Sequence, residues 1–230
     1  MEPSQKKWIV ISLGGSILCP DRVDIEYIKS FVQMVKEKVS HGLSFAIITG
    51  GGKIARDYRD ALLASGIHDT YILDLMGIDA TRYNAELIRY SFGDLAEPKI
   101  FLDPTNLTLS GKSILVGGGW KPGHSSDGSA VALAKTLGAK KLVNLSNIDY
   151  VYTADPRKNP DAQKIEKIGW VDFRKLLPEG WNPGISAPFD PIAAQMAQEE
   201  KLEIVVMNGK NLENLEKYID GKEFIGTVIN

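Results

Sequence analysis

The sequence predicts an α/β fold: a mostly parallel central sheet covered by helices on both faces, a three-layer αβα sandwich. Three observations lead there. Strand-like and helix-like segments alternate along the chain. The strand-like runs are apolar throughout, as in strands buried on both faces. Three of these runs end in glycines. Residues 8–13 lead into Gly14-Gly15-Ser16, 44–49 into Gly50-Gly51-Gly52, and 113–116 into Gly117-Gly118-Gly119. If the three are parallel neighbours, their turns open together beyond the carboxyl ends of the strands. Open α/β sheets bind ligands at that edge.

The elements follow in order. After the first strand, residues 21–40 place Val23, Ile25, Ile28, Phe31, Val32, Val35 and Val39 along one helical stripe, ended by Gly42. Beyond the second strand and its glycines, 53–65 reads as an amphipathic helix closed by Gly66. Residues 72–89 read as a third helix with Asp74 near its start, and 99–102 as a short strand followed by turns. Gly111-Lys112-Ser113 resembles the end of a Walker A loop. Asn106 stands where its first glycine belongs, and a strand follows, so the stretch reads as a plain turn. Ser126-Asp127 opens a helix over 128–137, stopped by Gly138, and 141–145 is a fourth core strand. Residues 148–156 have hairpin or loop character. Residues 157–188 are charged and rich in Pro and Gly, with Trp170 and Trp181, which suits a mobile segment or lid. Asp190-Pro191 is an N-cap followed by proline at the first helical position, and that helix runs to about Lys201. Residues 203–207 form a fifth core strand, 211–219 a short helix and 226–230 an added edge strand.

The 230 residues carry no linker that divides them, so a single domain is expected. A net charge of −2 gives no reason to expect nucleic acid or membrane as a partner. No apolar run approaches the ~20 residues that span a bilayer. The start M-E-P-S-Q-K-K-W lacks the apolar core of a signal peptide. Cys19 is the only cysteine, which excludes an internal disulfide and a Cys-based zinc site. His41, His68 and His124 are too scattered to suggest a metal triad. A cytoplasmic location is the default expectation.

The chemistry should sit at the glycine turns. Glycine lets a ligand approach the backbone N–H groups, and a helix N-terminus behind the turn favours an anion. Two of the turns lead into helices, 50–52 directly and 117–124 nearly so. Arg56, one turn into its helix, can reach back toward a phosphate. Asp127 reads as a helix-start acid. It also suits a carboxylate that holds Mg2+ or orients donors around a phosphoryl group. His124 reads as a base or as a simple hydrogen-bonding partner. No G-x-G-x-x-G is present, which disfavours a dinucleotide-binding dehydrogenase.

Five blocks then occur in order: I-V-I-S-L-G-G-S-I-L, I-I-T-G-G-G-K-I-A-R-D-Y, D-L-M-G-I-D-A-T-R-Y-N-A, P-G-H-S-S-D-G-S-A-V-A-L-A and N-I-D-Y-V-Y-T-A-D-P. Together they resemble the amino-acid kinase superfamily, most closely the archaeal-type UMP kinases, over nearly the whole chain. The resemblance implies an αβα sandwich, transfer of the ATP γ-phosphoryl group to UMP with Mg2+, and a homo-oligomer, typically a hexamer. It implies an acceptor-binding part over roughly 1–140 and an ATP-binding part over roughly 141–230. Carried over by position, Gly14, Gly15 and Ser16 would hold the transferring phosphoryl group, and Gly52 and Arg56 would contact phosphates nearby. Gly51 and Asp74 would bind UMP, Asp74 through the ribose hydroxyls. Gly119, Trp120, Lys121, Pro122, Gly123, His124, Ser125 and Ser126 would wrap the UMP base and phosphate. Asp127 would be the organising carboxylate. Ser146, Asn147, Tyr152 and Asp155 would frame the ATP nucleoside.

The chain departs from that pattern. Ser12 stands where many members of the superfamily carry lysine, which removes one positive charge from the transfer site. Ser125-Ser126 replaces a pair of threonines, Trp120-Lys121 precedes Pro122, and 181–188 is unlike the family. Another small acceptor in the same superfamily, or a nucleotide- or oxyanion-binding protein without turnover, are the alternative readings.

Overall fold

The structure is a computed structural model that describes residues 6–178 and 187–230. Its strands are β1 (Trp8–Leu13), β2 (Ser44–Thr49), β3 (Ile114–Gly117), β4 (Lys141–Ser146), β5 (Val151–Tyr152), β6 (Lys164–Ile165), β7 (Lys167–Ile168), β8 (Glu203–Asn208) and β9 (Thr227–Ile229). Seven of them form one sheet in the order β3-β2-β1-β4-β8-β9-β7, while β5 and β6 pair as a small antiparallel hairpin. The run from β3 to β8 is parallel; β9 lies antiparallel to β8, with β7 parallel to β9.

Successive side chains of a strand point to opposite faces, and here both faces are buried. Ile11, Leu13, Phe45, Ile47, Val143, Leu145, Val205 and Met207 belong to one core. Val10, Ala46, Ile48, Leu142, Ile204 and Val206 belong to the other. The helices are α1 (Gly15–Leu18), α2 (Ile25–Ser40), α3 (Gly52–Ala64), α4 (Thr70–Phe92), α5 (Ser126–Leu137), α6 (Trp170–Lys175), α7 (Pro191–Glu199) and α8 (Leu212–Ile219). The first core takes side chains of α2, α4 and α8, and the second those of α5, α6 and α7. The expected αβα sandwich is therefore the observed fold. Among the described residues, no helix is long and apolar enough to cross a membrane.

Several expectations need correction. The first glycine turn also enters a helix, the single turn α1. The 99–102 strand reduces to isolated bridges from Ala96 to Ile114 and from Phe101 to Gly117; Pro98, which has no N–H to donate, interrupts any ladder there. β9 is not an edge strand, because β7 pairs on its far side. The segment taken as a lid supplies β6, β7 and α6, and Trp170 is buried with its indole N–H donating to Leu202 O at 3.0 Å. Trp181 and the rest of 179–186 lie outside the described residues. The Gly111-Lys112-Ser113 turn does hold an anion, but an internal one. The buried Glu97 carboxylate accepts from the N–H groups of Ser110, Gly111 and Lys112 and from the Ser110 hydroxyl.

Candidate functional site

Three adjacent parallel strands end level with one another. Leu13 pairs with Thr49, and Ile48 with Gly117, so the residues that follow emerge at one edge of the sheet. There the first two turns touch. A Cβ on Gly15 would lie 2.0 Å from Gly52 N, and one on Gly50 would lie 2.4 Å from Gly15 N. Gly52 also has φ +63°, a conformation that glycine adopts without strain. The third turn is braced from α4. Thr81 Oγ1 accepts from Gly119 N at 2.6 Å and donates to Ile78 O, while Thr49 Oγ1 donates to Thr81 O at 2.8 Å. Asn84 Nδ2 donates to Gly50 O at 2.7 Å and to Gly51 O at 3.2 Å. Two buried polar residues of one helix thus fix the second and third turns together.

The helix starts are treated unequally. Asp24, Asp69, Ser125, Asp190 and Asn211 cap α2, α4, α5, α7 and α8 with their side chains. α1 and α3, which begin at the first and second glycine turns, have no side-chain cap, and neither does α6. The first N–H groups of a helix need partners; at α3 Lys53 N donates to Cys19 O at 2.8 Å, and the start opens on a cleft of about 590 Å³.

Gly15, Ser16, Gly51, Gly52 and Arg56 line that cleft from one side, and Asp74, Gly119, His124, Ser125 and Ser126 from another. Asp127, Ser146 and Asn147 complete the predicted members of its wall. Asp127 lies at the base. It sits in the first turn of α5, two residues beyond the Ser125 cap, as the helix-start reading expects. Its Oδ1 accepts from Ser12 Oγ at 3.0 Å and Asn144 Nδ2 at 3.1 Å; its Oδ2 accepts from Asp190 N at 3.3 Å. Burial, together with the neighbouring Asp190 carboxylate, pushes the Asp127 carboxyl up to about 6 against those hydrogen bonds. Asp74 is raised by burial, with the Gly123 N–H at 2.6 Å and His124 acting in the opposite direction.

Other predicted residues lie off the wall. Gly14 is one step behind it, with its N–H committed to Leu145 O at 2.9 Å. Trp120, Lys121, Pro122 and Gly123 form a loop outside the lining. Trp120 packs edge-on against His124 at 4.9 Å, Lys121 Nζ lies 4.0 Å over its indole, and Arg82 donates to its carbonyl. Tyr152, in β5, and Asp155 are also outside the lining, and Asp155 is paired with Arg157. The sequence reading missed Arg59, Thr81 and Asp190, all of which line the cleft. Thr81 could have been found as a polar position on the apolar stripe of α4. Asp190 left no such signal, because it reads simply as a cap.

Fold and cleft together define an open α/β protein that presents glycine turns, an uncapped helix start and carboxylates at the carboxyl edge of its sheet. Residues 7–208 match the amino acid kinase family, and the chain belongs to that family. It is 36% identical over 217 residues to a uridylate kinase of Pyrococcus abyssi, spanning 93% of this chain and 96% of that protein. It is likewise 36% identical over 224 residues to a uridylate kinase of Thermococcus onnurineus, spanning 96% and 98%. The crystal structure of uridylate kinase from Archaeoglobus fulgidus superposes with a TM-score of 0.82 at 31% identity, covering 97% of this chain and 100% of that one.

Proposed function

We propose that this chain is a UMP kinase that transfers the ATP γ-phosphoryl group directly to UMP, giving UDP. The observation that carries this reading is the meeting of three glycine turns and an uncapped α3 start in one cleft with Asp74 and Asp127. The family and the uridylate kinase relatives make the acceptor specific.

Phosphoryl transfer needs alignment and charge stabilisation more than a strong base. The backbone amides at Gly15 and Ser16 hold the group in flight, and Gly14, its own N–H fixed on Leu145 O, shapes the turn that presents them. Gly52 and Arg56 contact it from the start of α3. Gly51, Asp74 and the 119–126 loop hold UMP, with Asp74 accepting from the ribose hydroxyls. Asp127 organises the donors beneath. Ser146, Asn147, Tyr152 and Asp155 frame the nucleoside of ATP, so that 1–140 serves the acceptor and 141–230 serves ATP. Mg2+, used with ATP, would supply charge neutralisation at the phosphates, and the oxygen donors of the cleft at Asp127 fit a hard cation.

Because Ser12 is neutral, the chain's own cations matter more. Lys53 is paired with Asp57 and Lys121 lies on Trp120, whereas Arg56 and Arg59 line the cleft, Arg56 with one N–H on Pro20 O at 3.1 Å. Trp120 packs on the loop instead of the cleft wall, which favours UMP over an acceptor reshaped by the indole.

A homo-oligomer, with the hexamer as its expected order, is supported by α3 and α4. The amphipathic stripe of α3 buries no residue fully in the single chain. Tyr58, Tyr71, Tyr83 and Tyr90 stand exposed on the two helices, and such apolar surface marks interaction sites. The cytoplasm is the expected location. The test is ADP release with ATP and Mg2+, offering UMP, CMP, dUMP and acetylglutamate in parallel. Turnover led by UMP is expected. Turnover led by acetylglutamate overturns the acceptor, and tight ATP binding with no ADP from any acceptor overturns the enzyme.

A further inference from the structure

Asp190 is 6% exposed and lines the cleft beside Asp127. Its Oδ1 is spent on the N-cap of α7, accepting from Ala193 N at 2.7 Å. Its Oδ2 is buried without a hydrogen-bond partner among the described residues. Asp127, beside it, has both oxygens engaged, one of them by a single long contact. One oxygen is occupied by Ser12 and Asn144, and the other has the 3.3 Å contact from Asp190 N. No lysine or arginine makes an ion pair with either carboxylate among the described residues. A buried polar oxygen left without a partner is expensive; Asp190 Oδ2 is one, and the half-buried Asp127 carboxylate adjoins it. Ser125 and His124 act on the Asp190 carboxyl against its burial, yet Oδ2 keeps no hydrogen-bond partner among the described residues, and a cation from outside the chain would supply one.

We propose that Asp127 and Asp190 together form a divalent-cation site on the cleft wall, with Asp190 Oδ2 as the previously unassigned ligand. The donor chemistry selects the class of ion. Two carboxylates with serine hydroxyls nearby are hard oxygen donors, which suit Mg2+ or Mn2+. No group of three or more His, Cys, Asp or Glu suitable for a metal is present among the described residues. Two carboxylates alone suit an ion that keeps water and takes its remaining oxygens from phosphate, the usual habit of Mg2+. The site would anchor the cation on the chain before nucleotide arrives. Asp190 joins it from α7, 63 residues beyond Asp127.

This inference deepens the kinase reading and rests on it for the role of the ion, but its test needs no turnover. Mn2+ is titrated into the full chain without nucleotide, and free Mn2+ is read by electron paramagnetic resonance. The wild type is expected to bind one Mn2+ per chain saturably. Asp190→Asn keeps an oxygen for the Ala193 N–H and is expected to weaken Mn2+ at least tenfold, as is Asp127→Asn. Asp190→Ser, which also caps helices well, serves as the second variant should the first not fold. Asp172→Asn, an exposed acid on α6, is expected to change nothing. The absence of saturable binding in the wild type overturns the proposal, as does unchanged affinity in folded Asp190 variants. An Asp190-dependent Mn2+ site without UMP turnover would overturn the acceptor reading alone. UMP turnover without such a site would overturn this inference alone.

Discussion

Gly15→Ala puts the glycine cradle under the most direct stress. An added Cβ would lie 2.0 Å from Gly52 N and 2.7 Å from both Gly50 C and Gly51 N, all of them backbone atoms. Ordinary contact begins at 3.4 Å, so the first and second turns must part by more than 1 Å. Overpacking of this kind costs about 1–3 kcal/mol of stability. A displacement near 1 Å at a reacting centre costs roughly 100-fold in rate, about 2.7 kcal/mol of barrier. The assay pairs urea unfolding with steady-state ADP release. The control is Gly128→Ala in α5, where the nearest atom to a new Cβ is 3.8 Å away and φ is not positive. Alanine there should leave stability unchanged or raise it by up to ~1 kcal/mol. Wild-type midpoint and wild-type kcat/KM in Gly15→Ala would refute the claim that the two turns are packed to hold a ligand between them.

The remaining expectations concern carboxylates. Asp127→Asn should lower kcat by at least ~100-fold, about 2.7 kcal/mol, while calorimetry finds UMP affinity nearly intact; near-normal turnover would remove it from the chemistry. Asp74→Ala should weaken UMP binding about tenfold or more, since hydrogen bonds to a charged group contribute ~1.5–3 kcal/mol; unchanged affinity by titration calorimetry would reject its ribose role. Glu97→Gln should destabilise the fold at pH 7 by ~1–3 kcal/mol, because the amide keeps one neutral acceptor oxygen and turns an NH2 donor toward the donors of residues 110–112, which the carboxylate meets with two charged oxygens. Burial alone would raise the Glu97 carboxyl, but the bonds from Ser110, Lys112 and Gly111 outweigh it and hold it below its ordinary value. Its stabilisation is therefore complete above the unfolded carboxyl range and is lost as pH falls through the lowered folded value. Unfolding curves of both forms from pH 7 down to pH 3 should converge at the acid end, and a gap independent of pH would contradict this.

The parallel core was legible because apolar runs and glycine stops are local signals. β1, β2, β4 and β8 fall within a residue of their expected ends. The Asp190 cap and the α8 start were legible for the same reason, whereas the hairpin expected within 148–156 instead pairs β5 with β6 at 164–165. What escaped depends on distant partners. Two-residue β7 carries no pattern of its own; it is a strand because β9 lies beside it. Glu97 could not be matched from sequence to the turn at 110–112, which its carboxylate fills. Residues of the cleft that follow glycine turns were visible. Ser12, Asn144 and Asp190 converge on Asp127 from three other elements, and no spacing in the chain announces that meeting.

The central claim is that turns from three neighbouring strands jointly grip the nucleotide phosphates. Amide chemical-shift mapping with selectively 15N-labelled glycine tests it most directly, on adding UMP and then a non-hydrolysable ATP analogue with Mg2+. The account predicts the largest shifts at Gly15, Gly51, Gly52 and Gly119, with Gly42 and Gly138 unmoved. Saturable binding of both nucleotides that leaves those four amides in place would contradict it.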